Sequence, residues 1–329
     1  MAFVRAILLA YEKYGKNPDD ALRRARITRG QLARPSARID ADQLETISVT
    51  AMQELDDEAL GWFSRKLPWG TYGMLCRASL GSPNLGVALK RWCRHHRLLT
   101  GEIWPSLEIE GSTARLIIEE RCELGAMREF CLLTSLRYVH GYACWLVNSQ
   151  LPLNEVTFPF AAPPHHAVYP LLFPGPVRFG AAHASWSFDA GYLALPPKRD
   201  EAALRIMLER AIPLTVRQYR RDRLLVERVR TLLGEPRGAA MTAEQVAAAV
   251  HLSVRSLHRK LALEGATLQG IKDDVRRRRA LELLDRTDLP IKRVALEVGY
   301  SDEKAFSRAF KQWTGASPRE HRERLGARA

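Results

Sequence analysis

Two short stretches carry side chains suited to meeting a polyanion and the edges of its bases. One holds Arg255, His258 and Arg259, and the other holds Glu303, Lys304, Ser307 and Arg308. Steps of three and four residues gather such groups on one side of an α-helix. Cationic side chains attract phosphates, and polar ones can donate to or accept from base edges. The same residues could also form nothing more than a solvated face. The elements that hold them decide between these readings.

The second group lies within Pro290 to Pro318, PIKRVALEVGYSDEKAFSRAFKQWTGASP. Pro290 suits a helix start, because its missing N–H costs nothing there. Ile291, Val294, Ala295 and Val298 follow on one apolar face. Gly299 is a natural stop, since glycine takes the left-handed conformation that ends a helix. Ser301 is expected to cap a second helix. That helix buries Phe306, Phe310 and Trp313 and turns Glu303, Lys304, Ser307, Arg308 and Lys311 outward. Gly315 closes it, and Ser317-Pro318 caps the next. A helix, a glycine turn and a helix with a polar outer face make a helix-turn-helix, whose second helix enters a DNA major groove.

The first group has parallel support. Thr242 and Gln245 form a capping box ahead of a helix at Ala243–Val250. Ser253 caps a second helix running to Glu264, with Gly265 as its stop. Leu257 and Leu261 face inward there, and Arg255, His258 and Arg259 outward. A leading helix with Leu224, Leu225, Val229 and Leu232 inward precedes the motif and breaks at Gly234 to Gly238. A long helix from Thr267 to about Arg286 joins the two motifs, with Ile271, Val275, Leu281 and Leu284 inward. About 20 residues of helix span roughly 30 Å, close to the roughly 34 Å between successive major grooves on one DNA face. Arg276–Arg279 on this helix point in different directions, so only one or two of them are expected to meet a phosphate or an acidic residue.

The block Val298-Gly299-Tyr300-Ser301-Asp302, then Phe306-Ser307-Arg308-Ala309-Phe310-Lys311, Trp313, Gly315 and Ser317-Pro318, resembles the signature of the arabinose-regulator (AraC/XylS) family of bacterial transcription regulators. The resemblance implies an all-α C-terminal domain with two helix-turn-helix motifs. It places base reading on Arg255, His258 and Arg259 in one helix and on Glu303, Lys304, Ser307 and Arg308 in the other. Arginine can grip guanine through two hydrogen bonds, and glutamate can accept from a cytosine amino group. Glu303 needs such a cytosine, or Lys304, to offset its repulsion from phosphates. Ser253, Ser301 and Ser317 put helix N-termini where phosphates can sit, although each serine also has a sufficient role as a cap. Arg319 is a further candidate phosphate contact. The implied partners are double-stranded promoter DNA and RNA polymerase, with activation expected ahead of repression.

Charge agrees with such a partner. The chain has 329 residues and a net charge of +13, and its pI is near 9.8. The excess is concentrated from Arg220 onward, which favours a polyanion. No amphipathic helix with exposed aromatics points to a membrane surface, and no stretch nears the roughly 20 apolar residues that span a bilayer. Cys76, Cys93, Cys122, Cys131 and Cys144 are odd in number and lack Cys-x-x-Cys spacing, so free thiols in a cytoplasmic protein are expected. No nucleophile elbow, zinc-protease or phosphate-loop motif occurs. An enzyme, a cofactor and a metal are therefore not expected.

The first half reads as an α+β sensor domain over residues 1–195, followed by a linker at 196–223 and the DNA-binding domain at 224–329. Helices fill the first 60 residues. Asp56-Asp57-Glu58 reads as a solvated helix start ahead of a metal site. Cys93, His95 and His96 point in different directions on one helix, which argues against a metal. Residues 107–110 and 114–119 form a hairpin about Gly111-Ser112-Thr113. A long helix from Met127 to about Leu146 is apolar nearly all round and therefore buried. Further strands are expected at 155–160 and 184–188, with 177–179 a weaker candidate. A helix over Glu201–Arg210 and the basic segment Arg217–Arg223 close this half.

Gly61-Trp62-Phe63, Leu75-Cys76-Arg77-Ala78, Leu85-Gly86-x-Ala88-Leu89 and Leu195-Pro196 resemble the effector domain of the family branch that includes ornithine-utilisation regulators. The resemblance implies a small-molecule effector, and a homodimer through this domain is a further expectation. Trp62, Arg65, Trp69, Tyr72 and Arg77 are candidates to line a pocket for an apolar body with a carboxylate, against the simpler reading of core aromatics and surface arginines. Two other classes stay open: a DNA-binding protein whose first domain only assembles it, and an enzyme domain fused to a DNA-binding module.

Overall fold

The structure, a computed structural model, describes residues 1–34, 37–209, 211–212, 224–235, 238 and 241–326. Two compact units make up the chain, Met1–Asp222 and Arg223–Ala329. The basic segment Arg217–Arg223 lies outside the described residues, as do Pro236 and Arg237 of the expected break.

The first unit starts with α1 (Ala2–Lys13), α2 (Asp19–Arg24), α3 (Arg29–Ala33) and α4 (Ala41–Leu55). Capping boxes start two of these. Thr28 pairs with Gln31 at α3, and Asp40 pairs with Gln43 at α4, so side chains satisfy N–H groups that have no partner within the helix. Asp56 ends α4 in a left-handed conformation.

The acidic trio that follows is not a solvated helix start. Asp57 is buried, and its carboxylate accepts the N–H groups of Ala59 at 3.0 Å, Gly61 at 2.7 Å and Leu67 at 2.9 Å, and the Tyr14 hydroxyl at 2.8 Å. Asp56 accepts from the N–H of Trp69, and Glu58 from those of Gly70 and Tyr72. No helix begins here, and the chain between α4 and the next helix would otherwise leave these donors unmet. The three carboxylates supply the partners that fold it.

After that loop come α5 (Thr71–Leu80) and α6 (Leu85–Leu99). A hairpin follows, β1 (Ile103–Glu110) with β2 (Thr113–Glu120), closed by Gly111 at φ +56°. Then come α7 (Arg128–Val147), β3 (Glu155–Phe158), the single turn α8 (Tyr169–Leu172), β4 (Val177–Phe179) and β5 (Ala184–Asp189). The strands make one mixed sheet in the order β1-β2-β5-β3-β4, antiparallel except for the β3–β4 pair. α6 packs on β1, and α7 packs on β5, where Trp186 donates to the Leu136 carbonyl at 3.2 Å. The buried length of α7 matches its all-round apolar sequence. Its one buried arginine, Arg137, donates to His140 Nδ1 at 2.9 Å, while His140 Nε2 bonds the Leu151 carbonyl. The stretch read as a linker contains α9 (Glu201–Glu209), which packs on α5.

The second unit is helical throughout its described residues: α10 (Leu224–Gly234), α11 (Ala243–Ala249), α12 (Val254–Leu263), α13 (Leu268–Arg286), α14 (Ile291–Glu297), α15 (Glu303–Thr314) and α16 (Pro318–Gly326). It has two separate cores. Val226, Val229, Leu233, Val246, Leu257, Leu261, Leu268 and Ile271 form one. Ala280, Leu283, Leu284, Val294, Val298, Phe306 and Phe310 form the other. α13 contributes to both, with Leu268 and Ile271 at one end and Ala280, Leu283 and Leu284 at the other. At 19 residues it is roughly 28 Å long, and it is the spine on which each helix-turn-helix builds its own core.

Candidate nucleic-acid interface and effector cavity

α12 and α15 present the polar side chains picked out in the sequence. In α12, Leu257 and Leu261 are fully buried, and Arg255, His258 and Arg259 are exposed. Among the described residues none of these three has an ion-pair or hydrogen-bond partner, and the helix contains no acidic residue. Ser253 caps it, accepting the Ser256 N–H at 3.2 Å. Glu264 ends α12 and reaches α10, accepting the Leu225 N–H at 3.2 Å and the Val226 N–H at 2.8 Å. That carboxylate fixes the direction of α12 against its neighbour.

In α15, Phe306 and Phe310 are fully buried, Glu303, Lys304 and Arg308 are exposed, and Ser307 is half-buried. The cap differs from the expected one. Asp302, not Ser301, closes the N-terminus, accepting the N–H groups of Lys304 at 3.2 Å and Ala305 at 2.9 Å. A carboxylate can serve both donors at once, and it complements the positive end of the helix. Hydrogen bonds from Ala305 and Lys304 hold the Asp302 carboxyl below the usual carboxylate range. Ser301 stands exposed one residue earlier. At α16, Ser317 accepts the Glu320 N–H at 3.2 Å, and Glu320 accepts the Ser317 N–H at 2.7 Å, which is a capping box. Arg319 is exposed and pairs with Glu323 along the same helix.

The run Arg276–Arg279 divides as helix geometry requires. Arg276 lies over the Tyr300 ring, 5.1 Å from its centroid. Arg277 pairs with Asp274 at 3.5 Å and Arg279 with Glu282 at 2.8 Å. Arg278 is exposed, with no partner among the described residues.

A cavity of about 320 Å³ lies inside the first unit, at the lower end of the roughly 300–1,000 Å³ typical of small-molecule sites. Trp62, Trp69, Tyr72 and Arg77 line it. Arg65 does not. It is exposed on a bend where Ser64 is tied to Glu102 and Lys66 to the Leu55 carbonyl, so the chain turns it to solvent. α4, α6, α7 and α9 contribute further walls, among them Met52, Trp92, His96, Tyr138 and Leu208. No local pattern marks these in the sequence, because they meet only through packing. Arg77 donates to Glu201 at 2.8 Å and ties α5 to α9. A Cβ on Gly73 would come within 3.0 Å of Leu208, so α9 rests directly on α5 beside the cavity.

His95 bonds the Arg91 carbonyl through Nδ1. Among the described residues no three His, Cys, Asp or Glu side chains come together to hold a metal, and no helix is long and apolar enough to cross a membrane.

Comparison with known proteins agrees with this architecture. Residues 15–197 match the family described as the arabinose-binding domain of AraC transcription regulators, N-terminal, and residues 246–324 match a helix-turn-helix domain. The chain is 31% identical over 324 residues to the ornithine utilization regulator of Pseudomonas aeruginosa, covering 98% of this chain and 96% of that one. Among solved structures, the transcriptional regulator CdpR from Pseudomonas aeruginosa is 23% identical with a TM-score of 0.36, covering 93% of this chain and 96% of that one. The DNA-binding domain of AdpA, solved with a target DNA, is 26% identical with a TM-score of 0.28, covering 32% of this chain and 91% of that one. The fold and the site define a DNA-binding transcription regulator. The chain belongs to the AraC family, whose members matched here are regulators rather than enzymes.

Proposed function

We propose that the protein is a one-component, ligand-responsive regulator that reads a bipartite promoter site through α12 and α15. The observation that carries this is the pairing of two capped helices, each seated on its own core, on the single spine α13. Its length of roughly 28 Å suits helices that enter successive major grooves roughly 34 Å apart. Arg255, His258 and Arg259 contact the first groove, and Lys304, Ser307 and Arg308 the second. Glu303 accepts from a cytosine amino group, and Lys304 beside it offsets its charge. The N-termini capped by Ser253 and Ser317, the exposed Ser301 beside the α15 cap and the side chain of Arg319 meet phosphates. If the duplex bends to admit both helices, the bend costs on the order of 1–6 kcal/mol and adds sequence preference without base contacts.

The effector binds in the first unit, at the cavity lined by Trp62, Trp69, Tyr72 and Arg77. Occupancy changes promoter affinity, and the regulator works in the cytoplasm as an activator together with RNA polymerase. A homodimer through the first unit accompanies this reading.

The test is a mobility-shift titration on a selected promoter fragment at several salt concentrations. Arg259→Ala and Arg308→Ala are each expected to weaken binding by about 1–3 kcal/mol, with selectivity relaxed locally. A double variant that binds like the parent protein would sink the assignment.

A further inference from the structure

The walls of the cavity in the first unit bear on what kind of effector it accepts. Aliphatic side chains and a group of aromatic rings make them largely apolar, and Tyr72 lies 5.6 Å from Trp92 and 5.2 Å from Tyr138, centroid to centroid. Two of its charged groups, Arg77 and Glu58, are already committed, and the third, Glu209, stands exposed to solvent at the end of α9. Arg77, the one arginine or lysine on the wall among the described residues, is half exposed and paired with Glu201. Both Glu58 oxygens accept backbone N–H groups, from Gly70 at 2.8 Å and Tyr72 at 2.6 Å. Burial raises the Glu58 carboxyl above the usual range, and its two oxygens are already engaged by those N–H groups. Burial also lowers His96 to about 4, which leaves it neutral at pH 7.

The uncommitted polar atoms are neutral as well. Among the described residues of this unit, the buried side-chain nitrogens and oxygens without a hydrogen-bond partner are those of Trp62 Nε1, Tyr72 Oη, Trp92 Nε1 and His96 Nδ1. All four residues line this one cavity. Buried polar atoms are ordinarily satisfied, so four atoms around one space with no partner beyond the weak Cys76 thiol near Tyr72 Oη point to a missing one. Two are indole N–H donors, one is a hydroxyl and one is an imidazole nitrogen.

We propose that the cavity takes an uncharged, largely apolar ring compound bearing one or two hydrogen-bonding atoms, and not a carboxylate or a charged amino acid. The proposal rests on the reading of this unit as an effector domain and specifies its ligand class. It replaces the carboxylate-bearing ligand expected from the sequence, because Arg65 lies off the wall and Arg77 is engaged. An anionic group entering here would lose its hydration without gaining a free counter-charge, since Arg77 is paired with Glu201.

The test uses the full chain and the uncharged fluorophore N-phenyl-1-naphthylamine, displaced by 1-naphthol, by 1-naphthoate or by L-ornithine. Saturable dye binding is expected, with 1-naphthol displacing it about tenfold or more better than 1-naphthoate and L-ornithine without effect. No saturable dye binding, equal or better displacement by 1-naphthoate, or displacement by L-ornithine would overturn the proposal. Val49→Trp places a large ring on the α4 wall and is expected to abolish dye binding while the thermal melt stays cooperative. A folded Val49→Trp protein that still binds dye normally counts against the cavity as the site. Gln53→Arg, at an exposed wall position, does not depend on that variant folding. It is expected to bring 1-naphthoate close to 1-naphthol, and an unchanged preference defeats the charge argument. Promoter affinity measured alongside separates the two ideas. Neutral-ring binding that leaves DNA affinity unchanged removes ligand response and keeps the ligand class. A charged ligand that alters DNA affinity removes the class and keeps the response.

Discussion

The two helix-turn-helix motifs share a plan but differ in core and charge. The first has an aliphatic core, a neutral cap at Ser253 and an outer face of Arg255, His258, Arg259 and Lys260 without an acid. The second has an aromatic core around Phe306 and Phe310, flanked by Tyr300 and Trp313, an ionised cap at Asp302, and Glu303 beside Lys304 on its outer face. A cationic face binds any phosphate backbone, whereas a face of mixed sign is penalised unless the bases match it. If both helices meet DNA as proposed, the first motif should supply mainly non-selective affinity and the second mainly selectivity.

The separate cores give the largest expected effect. Phe310→Ala should cost about 3–5 kcal/mol and Leu257→Ala about 2–5 kcal/mol, each in its own half of the unit. Hydrogen exchange reads this directly. Phe310→Ala should strip protection from α14 and α15 and leave α11 and α12 protected, and Leu257→Ala should do the reverse. Loss of protection across both motifs from either substitution would show one cooperative core and remove the basis for comparing two.

Charge comes next. Removing Arg255 and Arg259 together should lower the slope of log affinity against log salt by about 2 and weaken binding to every sequence, with selectivity relaxed only at the bases of the first groove. Removing Lys304 and Arg308 should change the slope less and flatten the preference among operator variants more. Equal slopes and equal loss of preference in salt-titrated mobility shifts would erase the division of labour.

The parts of this molecule that were legible in the sequence are the parts built from local rules. Both motifs, their glycine stops, the Thr242 capping box and the spine helix follow from periodicity and cap chemistry within about 20 residues of chain. The buried helix α7 and the β1–β2 hairpin were legible for the same reason. At the cap of α15 the structure departs from the sequence pattern by one residue, because Ser301 and Asp302 are both good caps and only the conformation of the turn decides which side chain reaches the N–H groups. The role of Asp56-Asp57-Glu58 does not show in the sequence, because its backbone donors, from Ala59 to Tyr72, belong to a loop without periodicity. Half of the cavity's character was hidden as well: Trp62, Trp69, Tyr72 and Arg77 are close in sequence, but His96, Tyr138 and Leu208 arrive from three other helices. Arg65 sits among the pocket residues in sequence and faces away from them in space.

A smaller effect separates stability from charge at the two caps. Ser253→Ala and Asp302→Ala should each cost about 1 kcal/mol of stability through the lost cap. Their effects on DNA should differ. Asp302→Asn keeps an acceptor for the helix N–H groups and removes a negative charge near the phosphates, so it should bind non-specific DNA more tightly with little loss of stability. Ser253→Ala should bring no gain in affinity. Weaker non-specific binding by Asp302→Asn at low salt would mean that the carboxylate positions the helix rather than repelling the backbone.

The smallest effect concerns how the second motif is held on the spine. Arg276 covers the Tyr300 ring, and Tyr300 in turn packs on Phe306 at 5.8 Å and Trp313 at 6.2 Å, centroid to centroid. The first motif has no aromatic residue in its core, so its seat depends on aliphatic packing and the Glu264 carboxylate. A cation over a partly exposed ring contributes about 0.5–1 kcal/mol. Arg276→Gln should therefore lower the stability of α14 and α15 by that amount, with α11 and α12 unchanged in hydrogen exchange. Arg278→Gln, at an exposed position two residues on, should leave stability alone and can alter only binding. If Arg276→Gln instead weakens DNA binding at full stability, the guanidinium serves the phosphates and not Tyr300, and the second motif gains a cation that brings its charge closer to the first.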